Sequence, residues 1–183
     1  MMYSPIIEFN PAEYIQTASG NIISRKCSIY KPQNVEIPQG KVIIKENVIL
    51  RGDLMNIQIN KYTMICQNTI IRPSYGIIND TFRFIPLIIG SNCYIGENSV
   101  IEAATIGLGC YIGNNCIIGK RVILKDYVRV EDDTIVPADT VITPFSIVSG
   151  KPGKIIGEVN ESITSLAATE ALARYQNTIP KSN

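Results

Sequence analysis

Aliphatic residues recur at every sixth position along most of this chain. From about residue 44 to residue 148 the sequence divides into blocks such as IGSNCY, IGENSV, IGNNCI and VPADTV. The first position of each block is always Ile, Leu or Val, and the fifth is small, β-branched or a thiol. A period of six is typical of a parallel β-helix, in which three short strands make one triangular coil. The first-position residues, which we expect to point inward, are Ile59, Ile65, Ile71, Ile89, Ile95, Ile101, Ile106, Ile112, Ile118, Leu124, Val130, Val136, Ile142 and Val148.

The repeat also predicts which residues stack in neighbouring coils, about 4.8 Å apart as in any sheet. Three blocks per coil place Cys93 over Cys110, where we expect thiols that fill a narrow interior. Asn68, Asn98 and Asn115, all at the fourth position, are expected in turns. The predicted inward columns are Ile89, Ile106, Leu124 and Ile142; Ile95, Ile112, Val130 and Val148; and Ile71, Ile101, Ile118 and Val136.

Two interruptions break the repeat. The first is a loop at 72–88, and a segment ejected from a regular solenoid is where function tends to concentrate. Its aromatic residues Tyr75, Phe82 and Phe84 are candidate recognition residues. The second interruption contains the tripeptide RGD, in which we interpret Arg51 and Asp53 as an ion pair at a corner and not as a cell-adhesion motif, because the chain shows no signature of a secreted, disulfide-bonded protein.

The two ends of the chain depart from the repeat. We expect residues 1–158 to form the β-helix, including an irregular N-terminal cap, and residues 159–177 to form a helix. Asn160 or Ser162 can cap that helix. A stripe of Ile163, Leu166 and Ala167, continued by Glu170 and Arg174, should lie against one flat face of the prism.

One helix can cover only one of the three faces of such a prism. The residues just before each first position point outward, and many of them are apolar. We therefore expect a second face to bind a partner protein. The candidate partner face consists of Ile70, Val100, Ile117 and Ile135, or alternatively of Ile88, Ile123 and Val141.

Composition excludes several classes of function. The 183 residues carry a net charge of +1 without a basic run, so binding to nucleic acid or insertion into a membrane is not expected. The chain lacks histidine altogether, which excludes Ser-His, Cys-His and His-ligated metal chemistry. Its five cysteines are odd in number and show no CxxC spacing. Without a signal-peptide pattern at the start, we expect a cytosolic protein with reduced thiols.

The segments RGDLMNIQIN, ICQNTIIRP and CYIGENSVIEAATIG resemble the γ-class carbonic anhydrases. The resemblance implies that Arg72, Glu97 and Glu102 stand where that family has its three zinc histidines. Arginine is not a zinc ligand, so we expect these degenerate positions to hold no metal. Because Ile71 and Ile101 fall in one column, we expect an ion pair between Arg72 and Glu102. A calcium or magnesium site formed by Glu97, Glu102 and Asp132 stays open as an alternative.

A second resemblance covers almost the whole chain. EYIQTASGN near the start, VILRGDLMNIQI, the loop entry IIRPSYG and the exit FIPLIIG resemble the β-helix subunits of the dynactin pointed-end complex. This resemblance implies a left-handed coil and a non-enzymatic scaffold in the cytoplasm and cytoskeleton, with neither catalytic residues nor cofactors.

The partners implied by the resemblance are a second β-helix subunit, an actin-related protein, a zinc-binding subunit and dynein cargo adaptors. A homo-oligomer of the isolated chain is also possible. The competing hypothesis is a divergent enzyme related to γ-carbonic anhydrases or to hexapeptide acyltransferases. GKPGK, at 150–154, is similar to a motif near coenzyme A in those acyltransferases, although Gly153 replaces an alanine.

Overall fold

A computed structural model describes residues 5–182 as a prism of very short strands with one helix. The first four residues of the expected N-terminal cap lie outside the described part. The single α-helix is α1 (Ile163–Gln176). The strands, in chain order, are β1 (Ile7–Phe9), β2 (Tyr14–Gln16), β3 (Ile22–Ser24), β4 (Ser28–Tyr30), β5 (Val35–Glu36), β6 (Ile43–Ile44), β7 (Ile49–Arg51), β8 (Ile57–Ile59), β9 (Met64–Ile65), β10 (Ile70–Ile71), β11 (Tyr75–Ile78), β12 (Thr81–Phe84), β13 (Leu87–Ile89), β14 (Tyr94–Ile95), β15 (Val100–Ile101), β16 (Thr105–Ile106), β17 (Tyr111–Ile112), β18 (Ile117–Ile118), β19 (Ile123–Leu124), β20 (Arg129–Val130), β21 (Ile135–Val136), β22 (Val141–Ile142), β23 (Ser146–Gly150), β24 (Gly153–Glu158) and β25 (Thr178–Pro180).

Three sheets form the sides of the prism, and their strands within the coils are parallel. The helix-covered face has the order β2-β3-β6-β9-β14-β17-β20-β23-β24. The first open face has the order β4-β7-β10-β15-β18-β21, and the second open face has the order β5-β8-β13-β16-β19-β22. This architecture confirms the predicted left-handed parallel β-helix with a C-terminal helix on one face.

The strand register confirms all three predicted inward columns. Ile71 pairs with Ile101, Ile95 with Ile112, and Ile106 with both Ile89 and Leu124. The first-position residues from Ile59 to Val148 are almost completely inaccessible to solvent. Burial of one aliphatic side chain contributes about 1.5–3 kcal/mol, so the stacked columns are the main stabilising feature of the fold.

The corners are sharp because a turn residue at each of them adopts the left-handed backbone conformation. Asn68, Asn98 and Asn115 have φ of 61°, 56° and 57°, as expected for left-handed turn residues. A Cβ on Gly96 would lie 2.5 Å from the carbonyl oxygen of Gly113 in the next coil. The coils therefore approach each other too closely at this corner for any larger residue.

Small polar residues at the fifth position link neighbouring coils from inside. The Thr69 hydroxyl donates to the Gly96 carbonyl at 2.8 Å, and the Ser99 hydroxyl donates to the Gly113 carbonyl at 3.2 Å. The Cys93 and Cys116 thiols donate in the same way to carbonyls of the following coil, at 3.0 and 3.1 Å. Burial raises the pKa of the Cys116 thiol, so this group is a protonated hydrogen-bond donor and not a nucleophile.

The two ends of the chain are tied together. β1 pairs in parallel with β25, and the Tyr175 hydroxyl at the end of α1 donates to the Gly20 carbonyl at 2.6 Å. At the N-terminus, β2 and β3 form an antiparallel hairpin before the regular coils begin.

Helix α1 begins at Ile163, later than the expected start at residue 159. The Asn160 side chain accepts a hydrogen bond from the Ser162 N–H at 2.9 Å, whereas the Ser162 side chain makes no cap bond. The predicted buried stripe is wrong at Leu166, which is 39% exposed. Ala171 is buried instead. It lies one turn after Ala167 on the side of the helix that contacts the sheet.

The segment predicted as a loop at 72–88 contains regular structure. β11 and β12 form an antiparallel hairpin in which Tyr75 pairs with Phe84 and Ile78 with Thr81. No helix in the part of the chain that the structure describes is long and apolar enough to cross a bilayer.

Candidate protein interface

Helix α1 closes one face of the prism. On that face the rings of Tyr94 and Tyr111 stack with centroids 5.1 Å apart, and the Arg174 guanidinium lies 5.3 Å from the Tyr94 ring centroid. Burial raises the pKa of Tyr94 and lowers that of Arg174. The cavity left beneath the helix is about 70 Å³, far below the roughly 300–1,000 Å³ of typical ligand pockets.

The first open face carries a continuous aliphatic column. The register places Ile49, Ile70, Val100, Ile117 and Ile135 one above another on the outward side. Ile117, between Val100 and Ile135, is 41% exposed, and the other four are half-buried. These are the residues of the first predicted partner face, extended upward by Ile49.

The second open face carries an interrupted column. Ile88, Ile123 and Val141 stack outward as predicted, and Val141 is 56% exposed. However, the polar residue Thr105 separates Ile88 from Ile123, and Gln58 and Glu36 continue the column above Ile88. The first open face is therefore the more uniformly apolar of the two.

The β11–β12 hairpin stands at the corner between the two open faces. Its aromatic residues form one cluster, with Tyr75 and Phe82 ring centroids 5.1 Å apart and Phe82 and Phe84 centroids 5.3 Å apart. Lys120 lies 4.6 Å from the Tyr75 ring centroid, and the Arg121 guanidinium donates to the Tyr75 carbonyl. The structure thus brings together the three predicted recognition residues and anchors them to the corner two coils away.

The positions that the resemblance aligned with zinc histidines, Arg72, Glu97 and Glu102, do not form one site within the chain. Arg72 directly follows β10 and Glu102 directly follows β15, so they are neighbours in adjacent coils. Their side chains nevertheless form no ion pair, and the predicted Arg72–Glu102 salt bridge is wrong. Adjacent register brings two backbones together, but it does not direct long, solvated side chains toward each other.

Glu97 and Glu102 lie on opposite sides of the first open face. Glu97 precedes β15 and Glu102 follows it, and five residues of extended chain span at most about 16 Å. Asp132 lies on the Glu97 side, where its carboxylate accepts the Asn114 N–H at 2.8 Å. The three carboxylates of the alternative cation site are therefore not brought together, and no group of three His, Cys, Asp or Glu side chains suited to a metal occurs among residues 5–182.

The RGD tripeptide contains the predicted ion pair. Arg51 donates to both carboxylate oxygens of Asp53 at 2.8 Å, and these hydrogen bonds lower the pKa of Asp53. The same guanidinium lies 5.4 Å from the Tyr30 ring centroid. The tripeptide is a folded corner whose charges are already paired.

The sequence contained a signal for the hairpin that periodicity alone did not detect. Asn79 and Asp80 have φ of 51° and 57°, as a two-residue type I′ turn requires, and they stand between YGII and TFRF. The anchoring roles of Lys120 and Arg121 had no comparable signal, because they depend on contacts with residues about 45 positions away.

Solved structures share this architecture. A hexapeptide transferase family protein from Anaplasma phagocytophilum is 18% identical, with a TM-score of 0.60 over 82% of this chain and 89% of that chain. A mutant of the N-acyltransferase AntD from Bacillus cereus is 16% identical, with a TM-score of 0.55 over 81% of this chain and 86% of that chain. Fold and surface together define a hexapeptide-repeat left-handed β-helix with an aliphatic open face.

Sequence comparison identifies the family within that class. The model of the family described as dynactin subunit 5 matches residues 2–183, and the chain belongs to this family. The curated dynactin subunit 5 of Dictyostelium discoideum is 39% identical over 99 residues. That alignment covers 54% of this chain and about half the length of the curated relative, 50%.

Proposed function

We propose that this chain is a non-enzymatic structural subunit of dynactin, docked on a neighbouring subunit through its first open face. The observation that carries the proposal is the column of Ile49, Ile70, Val100, Ile117 and Ile135, which stays partly exposed while α1 covers a different face. A flat column of aliphatic side chains has the composition expected at the core of a stable protein interface. Family membership supports dynactin as the assembly.

The partners we propose are the pointed-end components: a second β-helix subunit, an actin-related protein and a zinc-binding subunit. A second β-helix presents a flat sheet face of the same kind, which makes it the natural counterpart of the first open face. In this role the chain would support dynein-dependent cargo attachment on microtubules, with dynein cargo adaptors as further partners, in the cytoplasm and on the cytoskeleton.

The test is co-purification of the chain with the other pointed-end subunits after co-expression. Changing both Ile117 and Ile135 to Asp should abolish assembly while the purified variant stays folded by circular dichroism, because both side chains point away from the core. The matched control changes Ile123 and Val141 to Asp on the second open face, and it should leave assembly unchanged. Assembly that survives the first pair and fails with the second would assign docking to the other face.

The competing function is acyl transfer, because one solved structure with this fold is named as an N-acyltransferase. It predicts acetyl-CoA-dependent turnover by the purified chain. The structure offers this hypothesis no histidine base, because the sequence has none. Turnover that survives purification and disappears on mutation of the 150–154 segment would support the enzyme instead.

A further inference from the structure

Neither edge of the β11–β12 hairpin pairs with another described strand, and the edge along β12 has no bonded backbone group on its outer side. β11 and β12 form a two-stranded sheet of their own, closed by the Asn79–Asp80 turn. With a two-residue turn, Ile78 and Thr81 form a hydrogen-bonded pair, and so do Gly76 and Arg83. The backbone groups of the intervening residues therefore point away from the hairpin. On β12 these are the N–H and C=O groups of Phe82 and Phe84.

The opposite edge of the hairpin supports this assignment and is bonded to the β-helix at its base, through Tyr75. Tyr75 pairs with Phe84 in a non-hydrogen-bonded pair, so its carbonyl should point away from β12. The Arg121 guanidinium donates a hydrogen bond to this carbonyl. The next residue pair, Ser74 and Ile85, is hydrogen-bonded as this alternation requires, since the Ser74 carbonyl accepts the Ile85 N–H at 2.8 Å. The β11 edge is thus anchored to the β-helix at Tyr75, whereas the outward backbone groups of Phe82 and Phe84 on β12 have no hydrogen-bond partner among residues 5–182.

The side chains around this free edge are also unusual for a solvated strand. Phe82 is 58% exposed and Ile77, its cross-strand partner, is 76% exposed. Tyr75, at the base of the aromatic cluster, packs on Lys120. Proteins normally protect an open edge with prolines, charged side chains, bulges or covering elements, and the four residues of β12 contain no proline and one charge, Arg83.

The charges near this edge are cationic except for Asp80 in the turn. Arg83 lies on the opposite face of the hairpin from the aromatic cluster, and it forms no ion pair with any described carboxylate. Arg72 and Lys120, at the base of the hairpin, are likewise without an ion pair among residues 5–182. A strand that lies beside β12 would place alternate residues against Phe82 and Phe84 and the others against Arg83.

We propose that β12 accepts an extended segment of a partner protein as a third strand, with apolar residues against Phe82 and Phe84 and acidic residues toward Arg83. The unpaired N–H and C=O groups favour an extended backbone over a helix, since a helix has already satisfied its own amide groups. The alternation of aromatic and cationic side chains along β12 selects the alternating chemistry of the partner. This site is separate from the first open face and does not depend on the docking proposed there.

The experiment uses the full chain labelled with ¹⁵N and, as probe, a capped eight-residue peptide that alternates Val and Glu. We expect binding to shift the amide resonances of Phe82 and Phe84 and to slow their hydrogen exchange. The Arg83 amide, already bonded within the hairpin, should change little. A peptide alternating Val and Lys should bind roughly three- to tenfold more weakly, because cross-strand charge pairs contribute about 0.2–1 kcal/mol each.

Three variants keep the test specific. Arg83→Glu should reverse the preference so that the Val-Lys peptide binds better, and the exposed position of Arg83 leaves the fold unaffected. Phe82→Ala should weaken binding at least threefold, whereas Ile78→Ala, on the other face of the hairpin, should change it less. Assembly through the first open face should persist in Arg83→Glu, which separates failure of this proposal from failure of the docking proposal.

Three results would overturn the inference. The first is no binding of the Val-Glu peptide at millimolar concentration. The second is the absence of any preference between the two peptides, both in the unmodified chain and in Arg83→Glu. The third is protection of the Phe82 and Phe84 amides that rises with protein concentration in the absence of peptide, which would assign the edge to a second copy of this chain.

Discussion

Gly20 shows how a single residue can connect the two ends of the molecule. It closes the turn of TASGN with φ of 86°, its N–H donates to the Thr17 carbonyl, and its own carbonyl accepts the Tyr175 hydroxyl. A Cβ at this position would lie 2.7 Å from that hydroxyl oxygen. The turn motif of the N-terminal cap is therefore shaped to receive the end of α1.

Gly20→Ala should lower the free energy of unfolding by about 1–2 kcal/mol from the left-handed backbone alone, with a further cost from displacement of Tyr175. The measurement is denaturant unfolding followed by circular dichroism. Gly157→Ala is the matched control, because Gly157 lacks a positive φ and a Cβ there would meet its nearest atom at an ordinary 3.8 Å. Equal stability of the two variants would contradict this account of the turn.

At the scale of elements, α1 packs closely on the sheet because its contact residues are small. Ala171 is 1% exposed, and the Cβ of Ala167 is 3.4 Å from the position that a Cβ on Gly109 would occupy. Fourteen residues at 1.5 Å per residue span about 21 Å, the height of roughly four coils. The helix thus covers about half of the nine-stranded face with few large apolar contacts.

Ala171→Leu should destabilise the protein by about 1–3 kcal/mol, because the added methyl groups must separate the helix from the sheet. Ala168→Leu adds the same groups on the exposed side of α1 and should have little effect. The midpoint of thermal unfolding distinguishes the two variants. A large loss in Ala168→Leu with none in Ala171→Leu would mean that the helix docks through its other side.

At the scale of the whole molecule, stacking of coils separates carboxylates that look close in sequence. Glu97 and Glu102 are five residues apart, but β15 places them at opposite corners of the first open face. Arg72 lies next to Glu102 in the adjacent coil and would repel a dication. The geometry that would concentrate negative charge around one ion is therefore not formed within one chain.

Calcium and zinc should therefore leave the thermal stability of the EDTA-treated chain unchanged. A site with a Kd of about 10 μM would add about 2.7 kcal/mol of stability at about 1 mM ion, which is easily measured. The measurement is the unfolding midpoint with and without each ion. A rise that disappears in a Glu97→Gln, Glu102→Gln double variant would show that these residues still bind a cation.

Much of the fold could be predicted from sequence because the constraint is local and repeated. Each first-position residue must be aliphatic in order to enter the same narrow interior, so columns such as Ile71, Ile101, Ile118 and Val136 follow from counting by six. The outward columns follow from the same count by alternation along each strand. The candidate partner faces were thus predictable as residue sets, although the binding partner was not.

The sequence by itself determined the coil, its three faces and the absence of histidine chemistry. Only the tertiary structure decided which face α1 covers, how Lys120 and Arg121 anchor the hairpin, and that Arg72 and Glu102 do not pair. These features depend on side-chain directions and on contacts between residues far apart in sequence, which a six-residue period does not encode. A periodic pattern fixes the positions of the backbones. Which side chains stay exposed depends on where the irregular segments, α1 and the hairpin, pack on the β-helix.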